Sequence, residues 1–429
     1  MLYQWLETQR ALMRSMDAWA ALAAAPWGGW PASGNNSRPA GTSSEDGAHL
    51  PPVALPGCDW AYRLIQASPE PPPFGIESVE IAGQTIAVTE TIVDRTPFCT
   101  LRGFAREAEG SAALACVLLV TPLAGHHAVM LRETVETLLE SCDVYVTDWA
   151  NARDVPLAQG QFGLDDYVLA VERFLRLLSG RGVHVVAVCQ AAPAALAAAS
   201  LIAASRDDRA PLSVTLMGGP IDTRLHPTMI DRLAATHDIE WFRHTVIDVV
   251  PPPYPGVGRR IYPGYVQHAA IVAAHPHRQL ALESRYWKSR LAGDPEAIAK
   301  SLRALNEYSA VLDMDERYFL DTLRIVFQEQ RLARGGWSIG ARRVAPETLS
   351  GTALCTVEGD RDDITGAGQT HAAHDLCSGV PGAMRTRLTI DDCDHYDLFT
   401  GPRWHEAIYP ALRNFWIACA RNQSSLRRN

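Results

Sequence analysis

No stretch of this sequence approaches the roughly 20 consecutive apolar residues that a membrane-crossing helix requires, so no membrane span is expected. The 9 cysteines include no C-x-x-C pair, which removes the zinc knuckle and the dithiol redox motif. An odd number of scattered cysteines also argues against a secreted disulfide framework. Positive charge is not in excess. The 39 Lys and Arg face 48 Asp and Glu, for a formal net charge of -9, and there is no electrostatic case for a nucleic-acid partner. The N-terminus lacks a signal-peptide pattern, because Glu7, Arg10, Arg14 and Asp17 precede a short Ala-rich patch at 18–25. A cytoplasmic protein is expected. The oligomeric state is not legible from the sequence.

What is present is an ordinary globular composition, 47% hydrophobic and 20% charged over 429 residues, long enough to bury a large core. Leu2, Trp5, Leu6, Leu12, Met13, Met16, Trp19 and Leu22 recur at helical spacing and predict an amphipathic helix that docks onto the body of the protein. A linker rich in Gly, Pro, Ser and Asn follows, so residues 1–56 form an N-terminal helix and linker. From about residue 77 the pattern becomes strands alternating with helices. A hairpin is predicted around Gly83-Gln84, strands at 116–121, 144–149, 183–188 and 212–217, and helices at 127–140, 164–179 and 191–204. Wholly apolar strands separated by amphipathic helices predict an α/β fold, a mostly parallel sheet with helices on both faces. After Gly218-Gly219-Pro220 this alternation stops. Residues 222–345 read as helices with many aromatics, among them Trp241, Phe242, Tyr262, Tyr308, Tyr318 and Phe319. The strand pattern returns at 353–357 and 384–390, with a closing helix from Trp404. The body is therefore divided into 57–221 and 346–429 as sheet core, with 222–345 inserted as a helical cap.

The strand at 183–188 runs directly into Cys189 and then into a helix of small residues. A nucleophile on such a strand-to-helix turn is held clear of both elements by a tight bend, which demands small neighbours. Ala187 and Ala191 supply them where the α/β-hydrolase pattern usually has glycines. The helix N-terminus favours a thiolate, and the Gln190 backbone N–H is placed to donate to an oxyanion. The remaining cysteines sit mostly in apolar runs and read as small buried hydrophobes. In this fold the chain order is nucleophile, acid, histidine. The loop after strand 353–357 offers Glu358, Asp360, Asp362 and Asp363 as the acid, and the loop after 384–390 offers His395 as the base. A second oxyanion donor is expected from Pro122-Leu123-Ala124-Gly125, at Leu123 or Gly125. His126-His127 invites a metal reading, but adjacent histidines rarely bind one ion and no second ligand cluster has suitable spacing. Neither metal nor redox cofactor is expected.

The sequence resembles the intracellular poly(3-hydroxybutyrate), or polyhydroxyalkanoate, depolymerases of the α/β-hydrolase superfamily. The likeness runs from Met1-Leu2-Tyr3-Gln4 through nearly the whole chain. It is densest in Pro122-Leu123-Ala124-Gly125-His126-His127, Asp143 to Trp149, Ala152-Arg153-Asp154-Val155-Pro156, Val188-Cys189-Gln190, Arg259 to Gly264, Val326-Phe327-Gln328-Glu329, Asp362 to Gly366, Gly368-Gln369-Thr370 and His395-Tyr396. The linker between 30 and 56 does not align, and Asp397 and the doubled His126-His127 are local departures. The resemblance implies a Cys-Asp-His triad on Cys189, Asp362 and His395. It further implies cleavage of a storage polyester at the granule surface, with water or coenzyme A as the acyl acceptor. A polyhydroxyalkanoate synthase-like acyltransferase, a small-ester hydrolase and a non-enzymatic granule-coating protein are the competing readings. Synthases usually flank the cysteine with glycines, and retention of all three triad residue types disfavours the coating protein.

Overall fold

A computed structural model describes residue 3 and residues 71–107, 116–205 and 209–426, with side chains to residue 419. By its contacts the chain divides into residues 1–67 and 68–429. Tyr3 apart, the expected N-terminal helix, the linker to residue 56 and Cys58 lie outside the described residues.

The second unit is built on a nine-stranded sheet in the order β1-β2-β3-β5-β4-β6-β7-β13-β14. The predicted hairpin is β1 (Ser78–Ile81) and β2 (Gln84–Arg95). It turns through Ala82 and Gly83, both at positive φ. β3 (Cys99–Arg106) was not anticipated; it runs antiparallel to both β2 and β5. Gly103 at its centre interrupts the alternation. A Cβ there would lie 2.9 Å from Val93 Cγ2 and 3.2 Å from Tyr145 Cε1, so the side chains of the flanking strands close over a bare backbone.

The other six strands are mutually parallel: β4 (Cys116–Val120), β5 (Asp143–Trp149), β6 (Val183–Val188), β7 (Ser213–Met217), β13 (Ala353–Gly359) and β14 (Arg385–Ile390). β6 shows why its sequence is almost unbroken Val and Ala. Val183, Val185 and Ala187 enter one core layer, while Val186 and Val188 enter the other. The first layer is covered by α2 (Leu164–Leu178) and α3 (Ala191–Ala204). The second is covered by α1 (Arg132–Leu138) and the C-terminal helix Tyr409–Leu426. α2 begins where the Asp166 carboxylate accepts from Gly163 N–H at 2.8 Å. α3 consists mainly of alanine because it is buried on every side from Ala191 to Ile202.

Between β7 and β13 the chain builds the insertion. Its helices are α4 (Met229–Thr236), α5 (Ile239–Thr245), α6 (Gly264–Ala274), α7 (Pro276–Ala292), α8 (Pro295–Ser309) and α9 (Glu316–Thr322). It is not purely helical as the sequence suggests. β8 (Asp248–Val249), β9 (Arg260–Tyr262) and β10 (Met314–Asp315) form a small antiparallel sheet, and β11 (Ser338–Ile339) pairs with β12 (Arg342–Arg343). Buried Arg259 ties this insertion to the core. Its guanidinium donates to the carbonyls of Val155, Pro156 and Gly160 and to Asp315 Oδ2 at 2.7 Å. That set leaves the buried charge paired and hydrogen-bonded, the condition under which burial is tolerated.

Candidate active site

β6 stops at Val188 and α3 starts at Ala191, so two residues make the bend. Cys189 takes φ +53°, a left-handed conformation that costs a non-glycine residue about 1–2 kcal/mol. Two bonds hold it there: Cys189 N–H donates to Met217 O (2.8 Å), and Ala192 N–H donates to Cys189 O (3.0 Å). Ala187 and Ala191 are fully buried. The closest approach, however, comes from the turn that follows the neighbouring strand β7. A Cβ on Gly219 would fall 2.2 Å from Ala192 Cβ and 2.9 Å from Cys189 O. Gly218, at φ +55°, lies against the other half of the site, where a Cβ would meet Leu398 Cδ1 at 2.7 Å, His395 Cε1 at 3.1 Å and Asp362 Oδ2 at 3.2 Å. Among the described cysteines only Cys189 is not buried. Burial pushes the thiols of Cys355, Cys377 and Cys393 up to about 12, which leaves them inert.

The acids offered by the sequence separate cleanly. Asp362 Oδ2 lies 2.7 Å from His395 Nδ1, and both side chains are nearly fully buried. Asp362 Oδ1 accepts from the N–H groups of Ile364 (3.0 Å) and Thr365 (2.8 Å). Asp363 points outward, 65% exposed, 3.6 Å from His275. Asp360 accepts from Cys393 N–H, and Glu358 caps the loop by accepting from the N–H groups of Gly368 and His371. Burial opposes a charge on His395, but the Asp362 carboxylate, the Cys189 sulfur and hydrogen bonds to both outweigh it and raise its pKa well above the ordinary imidazole value. Asp362 and His395 thus form one hydrogen-bonded pair, and they stand with Cys189 at the ends of β13, β14 and β6, the edge where an open α/β sheet assembles its sites.

The loop after β4 also reaches this point. Leu123 is buried. The Gly125 N–H, one of the expected oxyanion donors, instead donates to Gln267 Oε1 at 3.0 Å. The Ala124 N–H donates to Gln190 Oε1 at 2.9 Å. These glutamine contacts were not visible in the sequence, because each joins residues far apart in the chain. His126 and His127 line the site, and burial pushes both down to about 3. Among the described residues no group of three His, Cys, Asp or Glu is placed to hold a metal ion.

Cys189 and His395 open onto a cavity of about 400 Å³. Its roof comes from the insertion, including Trp241, Phe242, Tyr262, Ile271, Phe319 and Phe327, and its walls are largely apolar. Of the aromatics singled out by the sequence, Tyr286, Tyr308 and Tyr318 are buried in the insertion. Tyr262 and Phe319 stack at 4.1 Å and face the cavity. A second, charged cavity of about 250 Å³ shares His395 and Tyr396 and is lined by Arg278, Arg361, Asp392 and Asp394. Among the described residues no helix is long and apolar enough to cross a membrane.

No curated protein matches the sequence. Among solved structures, the chain is similar to a thermophilic esterase from Thermogutta terrifontis (14% identity, 76% of this chain and 98% of that one, TM-score 0.41). It is also similar to a monoacylglycerol lipase from Paleococcus ferrophilus (13%, 71% and 94%, TM-score 0.40). A third is an α/β-hydrolase fold protein from Nakamurella multipartita (13%, 80% and 98%, TM-score 0.39). The family model described as the PHB de-polymerase C-terminus matches residues 218–420, a span that holds the insertion, Asp362 and His395. The mostly parallel sheet and the bend at Cys189 give an α/β-hydrolase-type fold, and residues 218–420 are similar to the PHB de-polymerase C-terminus family.

Proposed function

We propose that this protein is an intracellular poly(3-hydroxybutyrate) depolymerase that works through a Cys189 acyl-enzyme. The observation that carries the reading is the buried Asp362–His395 pair, which shares the foot of an apolar cavity with Cys189. Cys189 Sγ attacks the ester carbonyl carbon while His395 takes the thiol proton. The Gln190 and Leu123 N–H groups hold the negative oxygen that develops. The C–O bond then breaks, and His395 returns the proton to the departing alkoxide, which leaves as a hydroxyl end. Asp362 keeps the imidazole in the required tautomer and stabilises its charged form. Water, deprotonated by His395, next attacks the thioester carbonyl and releases the acid and the thiol. Coenzyme A would enter the same step as a co-substrate, giving a thioester product. The charged cavity beside His395 offers either polar acceptor an approach separate from the apolar one. No metal or redox cofactor takes part in these steps.

An insoluble aliphatic polyester also suits the outer rim. Ile230, Leu233 and Trp241 line the cavity and are 42%, 52% and 39% exposed, and Met229 beside them is 67% exposed. These exposed apolar side chains at the cavity rim fit docking at a granule surface. Turbidity of amorphous poly(3-hydroxybutyrate) granules tests the reading, with wild type and Cys189→Ala assayed with and without coenzyme A. Clearing by wild type that vanishes in Cys189→Ala is expected, and the coenzyme A dependence identifies the acceptor. A folded wild type that clears no granules would sink the polymer assignment.

A further inference from the structure

The loop after β4 is gripped by two glutamine side chains from different parts of the fold. Gln190, next to Cys189, accepts through Oε1 from Ala124 N–H (2.9 Å) and from Tyr318 O–H (2.9 Å) on α9. Gln267, on α6, accepts through Oε1 from Gly125 N–H (3.0 Å), and its Nε2 donates to Leu312 O (2.9 Å). Two donors converging on the Gln190 terminal atom require oxygen there, so the amide's orientation follows from its partners. The backbone supports the same grip: Leu312 N–H donates to Gly125 O (3.2 Å) and His127 N–H to Ala310 O (3.0 Å). Tyr318 is itself fully buried and stacked on Phe162 and Tyr167. Tyr167 O–H in turn donates to Thr121 O (2.6 Å) at the start of the loop.

The N–H groups of residues 124 and 125 are therefore spent on side chains, and the loop's path is set by where those side chains stand. We infer that Gln190 and Gln267 are positioning residues for the oxyanion donors, and that through Gln267 and Tyr318 the insertion sets the geometry of acyl transfer besides roofing the cavity. This rests on the acyl-enzyme reading above. A donor helps only at hydrogen-bond distance from the developing oxyanion, and losing one costs roughly 10²–10³-fold in kcat. Neither glutamine acts on Cys189 or His395 in this account, so the reactivity of the thiol itself should not depend on them.

The test uses the full-length protein with p-nitrophenyl butyrate for kcat and KM, and iodoacetamide alkylation of Cys189 as a reaction that needs no oxyanion hole. Gln190→Met and Gln267→Met keep side-chain length and remove the acceptor. Each is expected to lower kcat about 10–100-fold, part of the loss of a whole donor, with KM and alkylation rate close to wild type. Gln190→Glu keeps an acceptor for both donors but sets a negative charge beside the oxyanion, so kcat should fall with no loss of thermal stability. Unchanged kcat in both Met variants would overturn the inference, as would an alkylation rate that falls in step with kcat. If a Met variant fails to fold, Tyr318→Phe takes its place, with a several-fold loss of kcat expected and none overturning the link to the insertion. Full ester hydrolysis by Cys189→Ala would instead overturn the acyl-enzyme reading itself.

Discussion

The two sides of the site are held by different forces. On the elbow side the constraint is volume. Cys189 sits at φ +53°, and Gly219 and Ala192 approach so closely that no additional methyl fits. On the acid–base side the constraint is hydrogen bonding: Asp362 spends one oxygen on two backbone N–H groups and the other on His395. The first side should tolerate a change of chemistry at the tip of a side chain but no change of size near the backbone. The second should tolerate little change in chemistry even when size is kept.

The sharpest way to break this contrast is Asp362→Asn. The amide oxygen can still accept from Ile364 and Thr365, but its nitrogen would then face His395 Nδ1 and favour the wrong tautomer. A drop in kcat of about 10³–10⁴-fold is expected, with thermal stability close to wild type. Steady-state kinetics on p-nitrophenyl butyrate decide it, and a loss below about tenfold would show that Asp362 does not orient the imidazole.

On the elbow side Gly219→Ala should be the more damaging to stability. Its Cβ would stand 2.2 Å from Ala192 Cβ, and overpacking of this kind costs about 3 kcal/mol. Urea unfolding of Gly219→Ala, alone and combined with Ala192→Gly, checks the cause. The second substitution should recover most of the loss; if it does not, crowding at that pair is not the origin.

The smallest effect concerns the far end of the strand that carries the elbow. His184 is buried, with its Nδ1 2.8 Å from Ser213 Oγ, and burial holds its pKa down to about 4. Its folded value lies below the unfolded one of about 6.5, so the unfolded chain binds the proton first. The stability this group contributes is present above about pH 6.5 and is lost as pH falls toward about 4. His184→Gln should therefore make the acid limb shallower by about 1.4 kcal/mol per pH unit across that window, as read by urea unfolding at several pH values. An acid limb of unchanged slope would mean that His184 is not the group titrating there.

Much of the sheet was legible because β4, β6 and β7 are runs that only a strand buried on both faces would carry. β3 was not, since Gly103 breaks its alternation and arginines at 102 and 106 give it the look of a loop. The two-residue strands of the insertion are too short to show any period. Cys189 and His395 could be placed from order and strand ends alone, whereas the choice among Glu358, Asp360, Asp362 and Asp363 depends on where a loop folds back. Gly218-Gly219 was visible as a boundary, but its contacts with Ala192, Asp362 and His395 are distant in sequence. The Gln190–Ala124 and Gln267–Gly125 bonds are distant in the same way, and so the loss of Gly125 as a free donor had no local signature.

The crowding around Gly219 acts on backbone and Cβ atoms and is blind to what lies beyond them. The scaffold therefore specifies an address for the side chain of residue 189, whatever atom stands at its tip. An oxygen in place of that sulfur would find the same bend, the same helix end and the same base. An elbow built this way fixes the volume allowed at residue 219 more strictly than the element that stands at the tip of residue 189.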